Sequence, residues 1–310
     1  MPQKFAVRLL AVVAVSALLT VPAAAQTATV SGRITDSTGA VVPGTSITIT
    51  NVATGVARTV TANSVGYYAV PLLPPGEYRV TVEQKGFKSI QRSGVVLEVD
   101  QRAQLDFTLD VGAITEQIQV TAAVVQLNTS EASRGQVIEN QRIVDMPLNG
   151  RNYNQLALLS AGTVQPAPGS RYEGFSSGGM RITQNNFMLD GVDNNGIELA
   201  GAQRRSEMVQ PSIDAIQEFK VQTNAYSAEY GRAMGSVVNV TLKSGTNDLH
   251  GSVFEFLRNE KLDAKNFFDP PEKPKPSFKR NQYGLSLGGP VYIPRLFDGR
   301  NRVFFFGDYE

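Results

Sequence analysis

The sequence predicts a mainly β, multidomain protein, and three stretches of alternating residues carry that prediction. Residues 27–110 contain short period-two strands separated by turn residues at regular spacing, which is typical of a β-sandwich. Residues 212–244 contain two alternating strands joined by a glycine-punctuated connector, which indicates a small α+β module. After residue 249, aromatic residues alternate with small or polar ones, as they do in strands of a transmembrane β-barrel.

Composition excludes several function classes. The 310 residues suggest about two domains, and the net charge of +1 gives no support for a nucleic-acid partner. Cysteine is absent, which excludes a catalytic thiol, a thiolate metal site and a disulfide framework. His250 is the single histidine, so a histidine-rich metal centre or a Ser-His-Asp triad is disfavoured. We therefore expect no enzyme activity, no cofactor and no metal.

Residues 1–25 have the build of a secretory signal peptide. Lys4 and Arg8 supply the positive start, Leu9–Val21 is the apolar run, and a small-residue cleavage site ends at Ala25. The apolar run is too short to span a bilayer comfortably, which disfavours the alternative of a membrane anchor. Export without disulfides favours a Gram-negative envelope.

The first mature segment, residues 27–110, reads as a β-sandwich of about seven strands. Ile47 and Ile49 alternate with polar neighbours, and Tyr78, Val80 and Val82 form a period-two strand. The sequence of the segment resembles that of the carboxypeptidase regulatory-like domains, which have a transthyretin-like or Ig-like sandwich. The resemblance rests on Gly32, Asp36, Gly39, Pro43, Gly44, Gly66, Tyr68, Pro75, Gly76, Tyr78, Gly86 and Phe87. Most of these are turn residues, so the resemblance implies a domain without catalysis.

The connector, residues 111–136, has two interpretations. It reads either as a last strand followed by a linker, or as a segment for coupling to a partner. The second interpretation rests on a stretch that resembles the TonB box of outer-membrane receptors: Glu116, Gln117, Ile118, Gln119, Val120, Thr121 and Ala122. Such a box works by adding an extended, proline-free strand to a partner's sheet. The resemblance implies a TonB-type inner-membrane energy-coupling complex as the partner.

The central segment, residues 137–247, mixes short elements with Gly-rich loops. Tyr153–Leu159 predicts a short helix with Tyr153, Leu156 and Leu159 inward, while Met180–Thr183 and Asn186–Leu189 read as short strands. The run Asp190–Glu198 is rich in carboxylates and amides, which invites a calcium-loop interpretation. Its spacing does not fit the EF-hand pattern, and Asp, Asn and Gly are ordinary turn residues, so a turn is favoured.

The two strands of residues 212–244 each have two distinct faces. Phe219, Val221 and Thr223 share one face of the first strand, and Glu218, Lys220 and Gln222 share the other. The order and spacing of several motifs resemble the plug domain of TonB-dependent outer-membrane receptors. The motif residues are Asp190, Gly191, Glu218, Val221, Tyr230, Gly231, Gly235, Asn239 and Thr241. The nearest version is the Oar-like group, whose members carry an N-terminal carboxypeptidase regulatory-like domain. Gln222–Asn224 stands where the family usually has an arginine.

The last segment, residues 248–310, predicts three barrel strands near Ser252–Arg258, Gln282–Gly289 and Arg302–Glu310. In the second strand Tyr283, Leu285 and Leu287 oppose Gly284, Ser286 and Gly288, an apolar-out and small-or-polar-in alternation. The long connection after the first strand would be extracellular, and the shorter one after the second periplasmic. Three strands cannot close a barrel, so we expect an N-terminal fragment or an incomplete gene product of a receptor that the resemblance implies has 22 strands.

These inferences predict a receptor in the cell outer membrane, in contact with outer-membrane lipid. It would import a small or oligomeric substrate through a plugged barrel, and the Oar-like resemblance favours carbohydrate or peptide cargo. The alternative is a cell-surface adhesion or structural β-protein with a carbohydrate-binding-like sandwich. A hydrolase is the weakest alternative because the sequence lacks cysteine and has one histidine.

Overall fold

The computed structural model describes most of the chain after the predicted signal peptide. The described residues are 27–112, 117–121, 134–146, 148–166, 174–196, 207–224, 226–265, 267–268 and 270–310. The predicted signal at residues 1–25, Glu116 and Ala122 of the TonB-box-like stretch, and Glu198 of the calcium-like run lie outside them. Within these ranges no helix has the length and apolar character needed to cross a membrane.

The described N-terminal residues form a sandwich of two sheets. Its strands are β1 (Ala28–Asp36), β2 (Ser46–Asn51), β3 (Ala57–Thr61), β4 (Tyr67–Leu73), β5 (Gly76–Glu83), β6 (Ser89–Leu97), β7 (Arg102–Gln104), β8 (Phe107–Leu109) and β9 (Gln117–Thr121). One sheet has the order β4-β1-β7, with β8 also beside β1, and the other has the order β3-β2-β5-β6-β9. The two sheets bury one apolar core between them.

The sandwich core explains one of the glycines that carry the family resemblance. Ile47, Val80 and Val82 are fully buried, and burial of each such side chain stabilises the fold by about 1.5–3 kcal/mol. Tyr68 is also buried, and its hydroxyl donates a hydrogen bond of 2.7 Å to the carbonyl of Leu105. Gly32 lies against the same carbonyl, because a Cβ at this position would be 1.8 Å from the Leu105 oxygen. A side chain therefore cannot fit at residue 32 without moving the backbone.

The central residues form a plug built on one mixed sheet. Its elements are β10 (Arg134–Glu139), α1 (Asn140–Asp145), β11 (Thr163–Val164), β12 (Ser176–Ser177), β13 (Asn186–Leu189), β14 (Val192–Asp193), β15 (Ile216–Asn224) and β16 (Val237–Leu242), with 3-10 helices at Asn149–Arg151, Tyr153–Leu159, Ile182–Gln184 and Ile213–Ala215. The sheet has the order β10-β15-β16-β13-β14, and only β13 with β16 is a parallel pair among these described neighbours. Its first strand begins at Arg134, inside the predicted linker.

The apolar face of the plug sheet follows the predicted alternation. Phe219 and Val221 are fully buried and pack in the same core as Tyr153, whose ring lies edge-on to that of Phe219 at 5.3 Å. The predicted helix at Tyr153–Leu159 is a 3-10 helix, capped where the Asn152 side chain accepts the Asn154 N–H.

Two local predictions in the plug are wrong. Leu159, predicted inward, is 46% exposed, because it ends its helix just before the turn at Gly162, where φ is 85°. Met180–Thr183, predicted as a strand, leads into the 3-10 helix Ile182–Gln184. Here the Gln184 N–H and side-chain oxygen both bond the Arg181 backbone at 2.9 Å, and these local hydrogen bonds replace strand pairing.

The last residues form an open antiparallel sheet of three strands with a small hairpin in one connection. The strands are β17 (His250–Asn259), β18 (Lys279–Pro290), β19 (Tyr292–Ile293), β20 (Phe297–Asp298) and β21 (Phe304–Tyr309), and the main sheet has the order β17-β18-β21. On β18 the small residues at 284, 286 and 288 are buried while those at 283, 285 and 287 are exposed, as predicted. The class predicted from the sequence, a mainly β multidomain chain with sandwich, plug and barrel strands, is confirmed.

Candidate functional site

The stretch Gln117–Thr121 lies at the edge of the sandwich. As β9 it runs parallel to β6, with Ser89 opposite Gln117 and Ser93 opposite Thr121. The sequence left open whether this stretch is a last strand or a coupling segment, and the structure gives it the position of a last strand. An edge strand still has one side available for pairing, so the two interpretations are compatible.

A loop of the sandwich contacts the polar face of the plug sheet. The Val99 N–H donates to Oε1 of Glu218, and Asn239 Nδ2 donates to Oδ2 of Asp100. Lys220 Nζ donates to the Asp100 carbonyl oxygen at 3.4 Å. Asp100 has a φ of 55°, which is in the left-handed region. Its carbonyl oxygen bonds Lys220 on β15, and its Oδ2 bonds Asn239 on β16. The sandwich is thus hydrogen-bonded to both β15 and β16.

Burial sets the electrostatics of this contact. Glu218 is 7% exposed, and burial raises the pKa of its carboxyl to about 7. The Val99 N–H and the charge of Lys220 oppose this rise in pKa, while the nearby carboxylates of Glu98 and Glu139 add to it. Burial also raises the pKa of Glu98 above its usual range. The contact therefore holds one carboxyl, that of Glu218, with a pKa near neutral pH, and a second, that of Glu98, with a raised pKa.

Much of the polar face is enclosed without complete hydrogen bonding. Gln222 on β15 and Asn239 on β16 are fully buried, and so is Ser236, which directly precedes β16. Both side-chain polar atoms of Gln222, Oδ1 of Asn239, Oγ of Ser236 and Oγ1 of Thr241 have no hydrogen-bond partner among the described residues. Buried polar atoms without partners cost stability, and water would satisfy them if the sandwich and plug separated.

The predicted plug motif residues divide between this contact and the plug interior. Glu218 and Asn239 bond the sandwich loop, and Tyr230 lies near Asp100, where burial followed by the Asp100 charge raises the pKa of the tyrosine hydroxyl. Thr241 is buried on the same face of the sheet.

The remaining motif residues shape the plug itself. Asp190 has a φ of 47°, and its Oδ1 accepts the Leu242 N–H at 3.0 Å, next to Gly191 with a φ of 81°. Val221 belongs to the apolar core. Gly231 is exposed at the turn, whereas Gly235 is buried where a Cβ would lie 2.3 Å from Oδ1 of Asn185.

Arg151, at the end of the 3-10 helix Asn149–Arg151, holds the plug against the sheet of β17 and β18. Its guanidinium lies 2.5 Å from Oδ2 of Asp214, and both side chains are at least nine-tenths buried. The guanidinium carbon also lies 4.3 Å from the ring centres of both Phe254 and Phe256. The face of β17 towards the plug is therefore aromatic, which differs from the small-or-polar lining predicted for such a strand. The Nε atom of Arg151 also lies 3.8 Å from Oε1 of Glu310.

A second buried carboxyl, also missed from the sequence, lies inside the plug. Glu207 is 4% exposed and accepts a hydrogen bond of 2.6 Å from Asn154 Nδ2. Burial raises the pKa of Glu207 to about 7. The fully buried Tyr153 hydroxyl lies beside this carboxyl but has no hydrogen-bond partner among the described residues.

The sandwich also contacts the end of the β17-β18-β21 sheet, which we call the wall. The Asn247 N–H donates to the Ala53 carbonyl at 3.0 Å. The side chains of Asn247 and Asn301 are joined at 2.8 Å, and the Asn301 N–H donates to Oδ1 of Asn247 at 2.8 Å. The turn at Gly55 is packed so closely that a Cβ there would lie 2.0 Å from Oδ1 of Asn301.

The calcium-like run forms an ordinary turn where it is described. Oδ1 of Asp193 accepts the Asn195 N–H at 2.9 Å, and Oδ2 of Asp193 lies 2.7 Å from Arg232. In the described part of the chain no three carboxylate or histidine side chains are grouped so as to hold a metal ion.

Comparisons with known proteins agree with this arrangement. Residues 29–110 match the model of the carboxypeptidase regulatory-like domain, and residues 241–310 match that of the outer membrane beta barrel domain. The TonB-dependent transporter Oar of Myxococcus xanthus is 27% identical over 248 residues, which cover 78% of this chain and 23% of that protein. The chain is thus similar to a TonB-dependent transporter, and it carries matches to a carboxypeptidase regulatory-like domain and to an outer membrane beta barrel domain. The match to the outer membrane beta barrel domain supports an outer-membrane location for this chain.

Solved structures resemble parts of this chain. The siderophore receptor PirA from Acinetobacter baumannii is 22% identical, with 56% of this chain and 24% of that chain covered and a TM-score of 0.40. The ferric enterobactin receptor from Pseudomonas aeruginosa is 17% identical, with 53% and 23% covered and a TM-score of 0.38. Hydroxyquinol 1,2-dioxygenase from Pseudomonas putida is 10% identical, with 27% and 56% covered and a TM-score of 0.23. The chain thus spans about a quarter of the length of the transporter and receptors it matches.

Proposed function

We propose that this chain supplies the coupling strand, the plug and part of the wall of a transporter that imports a substrate across the outer membrane. A TonB-type complex in the inner membrane would provide the energy by binding Gln117–Thr121 and pulling it. The observation that carries the proposal is the position of this extended stretch, at a sheet edge and directly ahead of the plug in the sequence. Pairing with a partner's sheet needs such an edge.

A pull on the coupling strand would reach the plug at one of its edge strands. The chain continues from β9 through residues 122–133 into β10, which lies at the edge of the plug sheet. β10 pairs only with β15 within the described sheet, so one ladder has to break before β10 leaves. An edge strand is therefore a suitable mechanically weak element for opening the plug.

The space between plug and wall suits the beginning of a passage. A cavity of about 500 Å³ lies there, lined by apolar side chains such as Leu148 and Phe256 and by the cations Arg258 and Arg280. Carbohydrate or peptide cargo, which the Oar-like resemblance favours, is the class to screen first. No covalent chemistry is part of this mechanism, and the relative Oar is a transporter.

The test is removal of the coupling segment. Deleting residues 116–122 from the full-length receptor should abolish uptake of its substrate while the protein still reaches the outer membrane as a folded, heat-modifiable band. The matched control replaces residues 126–132 with glycine and serine at constant length, and it should keep uptake. Normal uptake by the deletion variant would refute the coupling role.

A further inference from the structure

The coupling strand β9 uses only one of its two edges. Its pairing with β6 runs over five residues in parallel register, from Ser89 with Gln117 to Ser93 with Thr121. In a parallel pair, successive residues direct their backbone N–H and C=O groups alternately to one neighbour and to the other side. No strand of the described residues pairs with that other side of β9. About half of its backbone groups therefore face away from the sandwich.

The free edge of β9 lacks the features that usually protect an edge strand from pairing. The stretch Gln117–Thr121 has no charged residue and no proline. The opposite edge of the same sheet, β3, is different, because Arg58 lies in it and donates a hydrogen bond of 3.0 Å to the carbonyl of Pro71 on β4. Charged edge residues and ties to a neighbouring element are ordinary ways to block unwanted pairing. The sheet is therefore protected at the β3 edge and open to a further strand at the β9 edge.

We propose that the energy-coupling partner binds β9 while β9 stays paired with β6. The partner would contribute one extended strand, so that the five-stranded sandwich sheet becomes a six-stranded sheet shared by two proteins. This inference rests on the coupling role proposed above and adds the binding surface, which is the outer edge of β9 held by the sandwich. A bound strand presented in extended form loses less conformational freedom on binding than a free peptide would. Release of β9 from β6 is not required, because the two neighbours use different edges.

The proposal assigns the sandwich a direct part in recognition. β6 fixes the extended conformation and the register of β9, and the partner pairs with the strand in that conformation. The sandwich would then be the inner half of the partner's docking site.

The decisive experiment locks β9 to β6 in the full-length receptor. Gln91→Cys with Gln119→Cys joins two residues that are register partners, and the chain has no cysteine of its own to interfere. The control lock is Thr48→Cys with Thr59→Cys, a register pair between β2 and β3 whose hydroxyl oxygens lie 3.0 Å apart. The probe is the purified soluble periplasmic domain of the TonB-type protein from the same bacterium. Its Kd is measured for each variant in the oxidised and the reduced state.

The inference predicts that oxidation of the β6–β9 lock changes the Kd less than about twofold, as for the control lock. Hydrogen exchange on the unmodified receptor provides a second test that needs no cysteine. When the probe binds, amides 118–121 should gain protection and amides 90–93 of β6 should keep theirs.

Two results would overturn the inference. If the oxidised β6–β9 lock weakens binding tenfold or more while the control lock does not, β9 has to leave the sandwich, and the coupling role still stands. Loss of protection at residues 90–93 on binding would have the same meaning. If the unmodified receptor does not bind the probe, or binds equally well without residues 116–122, the coupling role fails as well.

Discussion

Protonation of Glu218 should control how firmly the sandwich holds the plug. The carboxyl is buried at the contact and accepts the Val99 N–H, with Glu98, Glu139 and Lys220 as its charged neighbours. Glu218→Gln keeps an oxygen for the Val99 N–H and removes the charge that burial disfavours. The variant should therefore hold the sandwich at high pH as firmly as the wild type does at low pH.

The size and sign of the effect follow from the pKa of Glu218. Burial raises this pKa from 4.5 to about 7, so the closed state binds more protons than the open state between these values. The free energy of opening therefore falls as the pH rises from about 4.5 to about 7, and it is flat above. At about 1.4 kcal/mol per pH unit, the total change is at most about 3.5 kcal/mol. Glu98, whose pKa burial also raises, adds a smaller change of the same sign, so the variant keeps a residual slope.

The measurement is hydrogen exchange of the loop peptide covering residues 98–102, from pH 5 to pH 8, corrected for the pH dependence of chemical exchange. Wild-type protection should fall across this range, and that of Glu218→Gln should fall much less. Glu83→Gln, at an exposed position of β5, is the matched control and should follow the wild type. Equal slopes for wild type and Glu218→Gln would refute the assignment of the pH dependence to this carboxyl.

Three further substitutions test packing. Arg151→Ala leaves the buried Asp214 without its cation and should cost about 3–5 kcal/mol in the thermal unfolding of the plug, with part of this loss recovered when Asp214→Asn is added. Gly32→Ala places a Cβ against the Leu105 carbonyl and should cost about 1–3 kcal/mol or more in sandwich stability, measured by denaturant unfolding. Tyr153→Phe removes a buried hydroxyl that lacks a partner among the described residues, so the melting temperature of the plug should stay the same or rise.

Each of these has a result that would contradict it. If the double variant Arg151→Ala, Asp214→Asn is no more stable than Arg151→Ala, the loss of stability does not come from the unpaired Asp214 carboxylate. A Gly32→Ala protein as stable as a Ser31→Ala control would mean that the backbone yields at residue 32. A loss of more than about 1 kcal/mol in Tyr153→Phe would indicate a hydrogen bond from the hydroxyl that stabilises the plug.

The sequence predicted what depends on neighbours along the chain. Alternation placed Phe219 and Val221 on the buried face of one strand, and the small residues of β18 on the inner face of another. It did not predict that Glu218 and Gln222, on the opposite face, are buried as well. The loop at Val99, which bonds Glu218 on that face, lies 119 residues earlier in the chain. A period-two pattern depends on neighbouring residues and carries no information about such a distant contact.

The same limit applies to the candidate site. Gln117–Thr121 has a strand pattern, but its neighbour Ser89–Ser93 is chosen by the topology of the sandwich and not by local sequence. Arg151 lies in a sequence typical of turns and does form one, with a φ of 51°. Its role comes from Phe254 and Phe256, about a hundred residues later, which no turn signal could indicate.

The hydrogen bond between Asn247 and Ala53 gives the sandwich a second attachment, because a separate set of bonds at Asp100 joins it to the plug. A force applied to β9 while β9 is paired with β6 would reach both attachments through the body of the sandwich. The sandwich could therefore move only after the bonds at Asp100 and Asn247 had broken, so these bonds would set a minimum force for moving it.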